Sequence, residues 1–350
     1  MKQRAWAVAI AAVLLVAAAE PAWDWADATD EIASGPEYER SKAICRSVRG
    51  REPPVADAPD ASTAAALKGC DSEALYYGIG VTADPVRARQ CAFLEAAGRT
   101  PDQSIDSPFG GRAMLMTIYA NGRGAVRDLD VATHLACGIE GAVAEVHGRV
   151  LHLQEMKAAG TGAEEFHFCD DVTSGLAGGW CAGHSARIAK AAREAELAGL
   201  IAAWPERSKL ALLSLRAAQS VYSDASADGE VDMSGTLRSA FWIERQEMLD
   251  RDMLATLRLL TQGQVSGSRG DYAAADKALN AAYRARLAEV RAAQWGTVKP
   301  EGVRAAQRAW LRYRDAFLAF AAVQYPQMSR DGLAAMLTRQ RTRLLLGEEE

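Results

Sequence analysis

The residues of this sequence best able to do chemistry are histidines and carboxylates in its first half. His152 and Glu155 are three positions apart, a spacing that places two side chains on one face of a helix. His167 and the adjacent Asp170 and Asp171 follow shortly afterwards. Two ligands on one helix do not make a zinc site, so we expect solvent-exposed histidines, no metal and no cofactor. A cell-wall-active hydrolase or metal-dependent enzyme that uses these five residues is the alternative function.

A second set of candidates consists of arginines near the C-terminal end. Residues 291–346 contain ten Arg or Lys and only three Asp or Glu. Guanidinium groups bind carboxylates and phosphates through paired hydrogen bonds. If the other faces of these helices are packed, the unpaired arginines share an outer surface on which their potentials add. We therefore predict that Arg308, Arg312 and Arg339 bind an anionic envelope component; the competing interpretation pairs them with the acidic first half of the chain.

The elements that must position these residues are predicted to be helices. The chain has 350 residues, of which 49% are apolar but only 7% are aromatic. This composition suits close-packed helices better than β-sandwiches, which need β-branched and aromatic residues. The 40 basic and 45 acidic residues nearly balance, so a nucleic-acid partner is not predicted. The expected fold is all-α.

The N-terminus predicts export. Lys2 and Arg4 precede an uninterrupted apolar run from Ala5 to Ala19 that ends in small residues, which is the pattern of a secretory signal peptide. The run is shorter than the ~20 residues that a membrane-spanning helix needs. We expect cleavage near Ala19, a mature chain without a membrane span, and a periplasmic or secreted location.

The cysteines predict a domain boundary. All six lie in the first 181 residues, and an even number confined to one half of an exported chain indicates three disulfides. We therefore divide the chain into a signal peptide (1–19), a cysteine-containing domain (20–184) and a helical domain (185–350). Buried free thiols are the alternative. The six residues are Cys45, Cys70, Cys91, Cys137, Cys169 and Cys181.

A helical pattern occurs twice in the cysteine-containing domain. Residues 74–88 predict a helix that ends in an aromatic residue, a Gly-x-Gly turn, and a second helix that begins near Asp84. Residues 117–132 repeat this pattern 44 positions later, with Asp128 in the equivalent place. Glycine adopts the positive φ of such a turn and aspartate caps the following helix. The pattern resembles the Sel-like repeat, a relative of the tetratricopeptide repeat, which implies helical hairpins that offer a platform to protein partners.

Two disulfide pairings are compatible with these hairpins. Cys70 and Cys91 lie at similar distances from the first turn and could bond across it. A bond between Cys169 and Cys181 would close the compact loop between them, and the two remaining cysteines would then pair with each other. In the alternative pairing, Cys45 bonds to Cys70 and Cys91 bonds to Cys137.

The second half carries two short strings that identify a family resemblance. Ala-Gln-Arg-Ala-Trp followed by an Arg-Asp pair occupies residues 306–315, and Leu-Thr-x-Gln-Arg-x-x-Leu occupies residues 337–344. Residues 271–346 closely resemble the LprI-type lysozyme-inhibitor family. Family members usually carry a cysteine just after the Arg-Asp pair, where this chain has Phe317 and Leu318. The resemblance implies structural roles for six motif residues: Gln307, Trp310, Arg314, Asp315, Gln340 and Arg341.

Residues 185–262 look like a degenerate copy of residues 271–346. The string Leu-Arg-Ala-Ala-Gln at 215–219 mirrors Val-Arg-Ala-Ala-Gln at 303–307 with an offset of 88. Apolar residues recur every three or four positions in both segments, and one helix is predicted from about Leu237 to Leu260. The expected architecture is therefore a set of disulfide-stapled Sel-like hairpins followed by an antiparallel helical bundle with two related copies.

The predicted function is binding rather than catalysis. We expect an exported, non-enzymatic envelope protein with a protein partner, and the family resemblance makes lysozyme the candidate. A cationic lysozyme with a carboxylate-bearing cleft calls for an acidic surface on its inhibitor. Residues 20–183, with 25 acidic and 14 basic side chains, offer such a surface, whereas the basic residues 291–346 do not.

Overall fold

The fold is entirely helical in the part of the chain that can be described. A computed structural model describes residues 23–98, 108–160 and 164–348. These residues form thirteen α-helices and no β-strand, which confirms the predicted all-α class. None of these helices combines the length and the apolar character needed to cross a bilayer. The predicted signal peptide, residues 1–19, lies outside the described residues.

The helices of the first half are short. They are α1 (Glu39–Val48), α2 (Ala61–Ala66), α3 (Ser72–Tyr77), α4 (Pro85–Ala97), α5 (Gly111–Asn121), α6 (Leu129–Cys137) and α7 (Val143–Ala159). The helices of the second half have 17 to 27 residues, against 6 to 17 in the first half. They are α8 (Gly175–Ile201), α9 (Glu206–Glu230), α10 (Arg238–Thr261), α11 (Arg269–Ala292), α12 (Pro300–Gln324) and α13 (Arg330–Leu346).

The two predicted hairpins, α3–α4 and α5–α6, have the same local geometry. Gly78 and Gly122 end the first helix of each hairpin with φ values of 76° and 66°. Asp84 and Asp128 begin the second helix, and the carboxylate of each accepts hydrogen bonds from N–H groups of its first turn. In both copies the aspartate N–H also donates to the carbonyl nine positions earlier, at 2.8 Å and 3.0 Å. The hairpins are therefore repeated units, while their membership in the Sel-like family stays a prediction.

Three disulfides fasten the short helices of the first half. They are Cys45–Cys137, Cys70–Cys91 and Cys169–Cys181. The first joins α1 to α6, the second joins the residue two positions before α3 to α4, and the third joins a 3-10 turn to α8. Pairing of Cys91 with Cys137, the alternative left open by the sequence, does not occur.

The described residues form two separate hydrophobic cores. One is built from side chains between Trp25 and Phe168, and the other from side chains between Leu197 and Leu345. The predicted boundary between residues 184 and 185 falls inside α8, which runs without interruption for 27 residues. The two cores are therefore connected by a continuous helix rather than by a linker.

A buried carboxylate ties α8 to the first hairpin. Glu73 of α3 accepts a hydrogen bond of 2.6 Å from Arg187 and lies 2.5 Å from Nδ1 of His184. Burial would raise the pKa of Glu73, but its hydrogen bonds to His184 and Arg187 outweigh that effect and lower it. The carboxylate is therefore held charged at the junction of the two cores.

The second half consists of two helix triplets, α8–α10 and α11–α13. In each triplet the first and third helices pack together, and the two middle helices, α9 and α12, make the largest contact between the triplets. Tyr222 stacks on Tyr313 across this contact, with ring centroids 5.5 Å apart. Gly229 and Gly302 approach so closely that a Cβ on either would lie 2.6–2.7 Å from the other's backbone. This is the arrangement that two related copies would produce, and α10 agrees with the predicted helix 237–260 within one residue.

The disulfides give the first prediction. Replacing Cys45 and Cys137 with alanine removes the crosslink that closes the longest loop, of 92 positions. Replacing Cys169 and Cys181 with alanine removes a crosslink that closes a loop of only 12 positions. The chain-entropy account gives a loss in the free energy of unfolding of about 4–5 kcal/mol for the long loop and about 3 kcal/mol for the short one. Urea unfolding followed by circular dichroism measures both losses.

The control for this prediction is within the same chain. Hydrogen exchange resolved by segment should show that α9–α13 keep their protection when the disulfides are reduced, because they contain no cysteine. Equal loss of protection in both halves, or three or more free thiols in the exported protein, would contradict the prediction.

Candidate functional site

Arg341 of α13 is the centre of a buried polar cluster. The residue is 1% exposed, and its two terminal nitrogens donate to the two carboxylate oxygens of Glu230 at 2.5 Å and 2.8 Å. Its Nε donates to Oε1 of Gln307 at 2.9 Å, and its guanidinium lies 5.6 Å from the ring centre of Tyr222. The cluster therefore joins the C-terminal part of α9, the N-terminal third of α12 and the last turns of α13.

Charge is balanced within this cluster. Burial alone would lower the pKa of Arg341, but Tyr222 and Glu230 raise it, and the net shift is upward. Burial raises the pKa of Tyr222 to about 12, so its hydroxyl stays protonated at neutral pH. A buried guanidinium and a buried carboxylate are stable together only when their hydrogen bonds replace those to water. Here the bidentate geometry supplies that replacement.

The remaining motif residues lie on the same helices. Trp310 is buried, and the guanidinium of Arg314 lies 5.4 Å from its ring centre. Arg314 also donates to the adjacent Asp315 and, at 3.2 Å, to the hydroxyl of Tyr272 on α11. Gln340 donates to a threonine hydroxyl of α10 at 3.3 Å. The contacts of Arg314 with Tyr272 and of Gln340 with α10 join helices, whereas those of Arg314 with Trp310 and Asp315 lie within α12; the structural roles that the resemblance implies stay a prediction.

Apolar packing occupies the place of the family's cysteine. Phe317 is fully buried and Leu318 is 5% exposed. Phe317 contacts Tyr313 and Phe320 edge-on, with ring centroids 5.7 Å and 6.2 Å apart. In this chain an aromatic cluster stabilises α12 where relatives are expected to have a disulfide.

The three predicted binding arginines lie on the surface. Arg308 and Arg312 are one turn apart on α12, are exposed, and make no ion pair with a described residue. Arg339 is exposed on α13 near Asp271, whose pKa is lowered by hydrogen bonds from Ser268 and further by the charge of Arg339. The positions are accessible to a partner, and the anionic partner itself stays a prediction.

The candidate hydrolase residues do not converge on one site. His152 Nδ1 lies 3.0 Å from Asp171, and burial raises the pKa of that aspartate. His167 and Asp170 instead cap a 3-10 turn through hydrogen bonds to backbone N–H groups, and Glu155 lies exposed on α7. Within residues 23–98, 108–160 and 164–348, no group of three or more His, Cys, Asp or Glu side chains is placed to hold a metal.

The expectation of solvent-exposed histidines is wrong. His134 and His184 are buried, and their ring nitrogens lie 2.9 Å from Glu52 and 2.5 Å from Glu73 respectively. His147 lies 2.9 Å from the hydroxyl of a serine of α1. The physical reason is that short helices have a small apolar core, so imidazoles contribute both ring packing and hydrogen bonds between elements.

Neither Glu230 nor Glu73 is among the residues predicted from the sequence. Each carboxylate contacts a buried side chain 111 positions away in the sequence, Arg341 for Glu230 and His184 for Glu73. The sequence contains one signal for the pair formed by Glu230 and Arg341. Arg341 stands four positions after Leu337 and four before Leu345, both buried, so the helical period of α13 places it on the core-facing side.

Comparison with known proteins finds that part of this region is similar to a known family. The family described as "Lysozyme inhibitor LprI" matches residues 262–345. This match supports the predicted resemblance at the C-terminal end. It covers about a quarter of the chain, namely α11, α12 and nearly all of α13. No curated protein and no solved structure matches the chain. Glu230 and Tyr222 lie outside the matched segment, so the buried cluster joins the LprI segment to the preceding triplet.

The buried pair gives the second prediction. Replacing Arg341 with methionine leaves Glu230 buried without its partner, and we expect the free energy of unfolding to fall by about 3–5 kcal/mol. Arg343→Met is the matched control, because that arginine is exposed two positions along the same helix; its effect should stay within about 0.5 kcal/mol. Urea unfolding measures both. A loss for Arg341→Met no larger than that of the control would show that the pair is not needed for stability.

Proposed function

We propose that this chain is an exported, non-catalytic envelope protein that binds and inhibits a lysozyme. The observation that carries the proposal is the match of residues 262–345 to the lysozyme-inhibitor family LprI. Three disulfides in the first half support an oxidising compartment outside the cytoplasm, because such bonds are rare where thiols are kept reduced. The dispersed histidines and carboxylates of the first half support binding rather than hydrolysis.

The acidic first half is the surface that suits a cationic enzyme. Exposed carboxylates there include Glu31, Glu52, Glu140 and Glu164, and residues 20–183 carry 25 acidic against 14 basic side chains. Complementary potentials accelerate association and select the partner. In this proposal the LprI segment and its preceding triplet form the rigid body, and the stapled hairpins contribute acidic contacts. The LprI segment alone, with its basic surface, would repel a cationic enzyme.

An enzyme assay tests the proposal and is the third prediction. The oxidised mature chain should inhibit a c-type lysozyme in a dose-dependent manner when cell-wall turbidity is followed. Inhibition should weaken at high salt, since exposed charges are screened beyond about 8 Å at physiological ionic strength. A matched pair of charge variants locates the contact: neutralising Glu31, Glu52 and Glu140 should weaken inhibition, and neutralising Glu206, Glu289 and Glu301 in the second half should not. Absence of both inhibition and binding would contradict the proposal.

We also propose that Arg308, Arg312 and Arg339 contact an anionic envelope component. Their exposure, and the absence of an ion pair to a described residue at Arg308 and Arg312, support this role. The interpretation in which they pair with the acidic half would require such ion pairs. Wall polymers and lipid headgroups are the anionic surfaces with which an exported protein comes into contact, and guanidinium groups bind both.

Salt elution from an anionic matrix gives the fourth prediction. The Arg308→Ala/Arg312→Ala/Arg339→Ala variant should elute at lower salt than the parent, because the positive electrostatic potential of three arginines is lost from one surface. The control removes the same charge at Arg207, Arg284 and Arg330, which are also exposed. Equal elution of the two triple variants would mean that net charge, and not this surface, determines binding.

A further inference from the structure

A cavity of about 260 Å³ lies between α9, α10, α12 and α13. Its size is slightly below the roughly 300–1,000 Å³ of small-molecule sites, which limits an occupant to about one amino acid. The motif residues Trp310, Gln340 and Arg341 line it from one side, and α9 and α10 close the other. The cavity therefore lies where the LprI segment meets the preceding triplet.

The interior of this cavity is aromatic. Tyr222, Trp310 and Tyr313 all line it and are all at least nine-tenths buried. Tyr222 and Tyr313 stack on each other, so the ring faces in this region are fixed by packing rather than free to collapse. Such walls suit a flat ring, because aromatic pairs are favourable both stacked and edge-to-face.

One polar atom in the interior has no partner. Gln219 is 3% exposed and lines the cavity. Its Nε2 donates to Asp250 at 3.4 Å, but its Oε1 has no hydrogen-bond partner among the described residues. A buried amide oxygen that is left unpaired is unfavourable. A ligand hydroxyl that reaches this depth would supply the missing donor.

The mouth of the cavity carries both signs of charge. Arg251, Arg343 and Glu348 line it, are exposed, and make no ion pair with a described residue. Asp252 also lines the cavity and has an interaction of its own. Two guanidinium groups are suited to a carboxylate, and the carboxylate of Glu348 is suited to an ammonium group. An α-amino acid presents these two groups on one carbon.

We propose that this cavity binds a free aromatic amino acid that carries a ring hydroxyl, as L-tyrosine does. Its carboxylate contacts Arg251 and Arg343, its ammonium contacts Glu348, its ring lies among the buried aromatic side chains, and its hydroxyl donates to Gln219. This site is separate from the surfaces proposed for lysozyme and for anionic polymers. A chain that fails to inhibit lysozyme would still bind tyrosine, so the two proposals fail independently.

Calorimetric titration of the full oxidised chain with four related ligands tests the site and is the fifth prediction. L-Tyrosine should bind, while L-phenylalanine, which lacks the hydroxyl, should bind at least about tenfold more weakly. Tyramine, which lacks the carboxylate, and 3-(4-hydroxyphenyl)propionate, which lacks the ammonium, should each lose about tenfold as well. Absence of tyrosine binding up to its solubility limit, or equal affinity for tyrosine and any one of the other three, would overturn the proposal.

Variants connect each ligand group to its residue. Arg251→Ala/Arg343→Ala should abolish the preference for tyrosine over tyramine, while Arg207→Ala/Arg284→Ala, with the same change in charge at exposed positions that do not line the cavity, should leave it unchanged. Gln219→Met, of similar size but without the amide oxygen, should bind phenylalanine at least as well as tyrosine. A Gln219→Met chain that still prefers tyrosine would overturn the assignment. The ligand series on the unaltered chain keeps the test valid if this variant does not fold.

Discussion

The pair formed by Arg341 and Glu230 determines how the second half of the chain is assembled. Apolar side chains along α9 and α12 pack in more than one register at modest cost, because their contacts are non-directional. A buried guanidinium and carboxylate pack in only one register, since any displacement leaves two charges without partners in the interior. Glu230 is the last residue of α9, directly after the close approach of Gly229 to Gly302. We infer that the ion pair and the glycine contact together fix α13 of one triplet against α9 of the other.

The first half depends on a different constraint. Its helices α2 and α3 have six residues each, and helices this short do not form in isolation because nucleation is unfavourable. They are held by aspartate caps, by glycine turns and by disulfides that connect α1 to α6 and α4 to the residues before α3. Helices α9–α13 of the second half have 17 to 25 residues and no cysteine. Their long amphipathic faces bury enough apolar surface to be stable without a crosslink. In α12, Phe317 and Leu318 are buried at the place where relatives are expected to have a cysteine.

The features that could be predicted from the sequence are those set by nearby residues. Asp84 and Asp128 cap helices, glycines end them, and α10 begins and ends within one residue of its prediction, because each signal acts within a few positions. The position of the domain boundary is harder to predict from the sequence. Cysteines show which half is crosslinked, but they do not show where a helix ends, and α8 passes through residue 185 without a break. The pairs Glu73–His184 and Glu230–Arg341 could not be predicted, since each depends on which helix faces meet after folding.

Charge links these structural observations to the proposed function. Among the described residues, Arg308 and Arg312 form no ion pair with the acidic first half, and the contacts between α8 and the first core include those of Glu73 with His184 and Arg187. Arg308 and Arg312 are left available at the surface. A chain that combines an acidic first half with exposed arginines on α12 offers separate surfaces to a cationic enzyme and to an anionic polymer. Under the proposed function, that polarity would hold the inhibitor on the wall material that a lysozyme must approach, so the charge asymmetry would raise the local concentration of inhibitor at the place of attack.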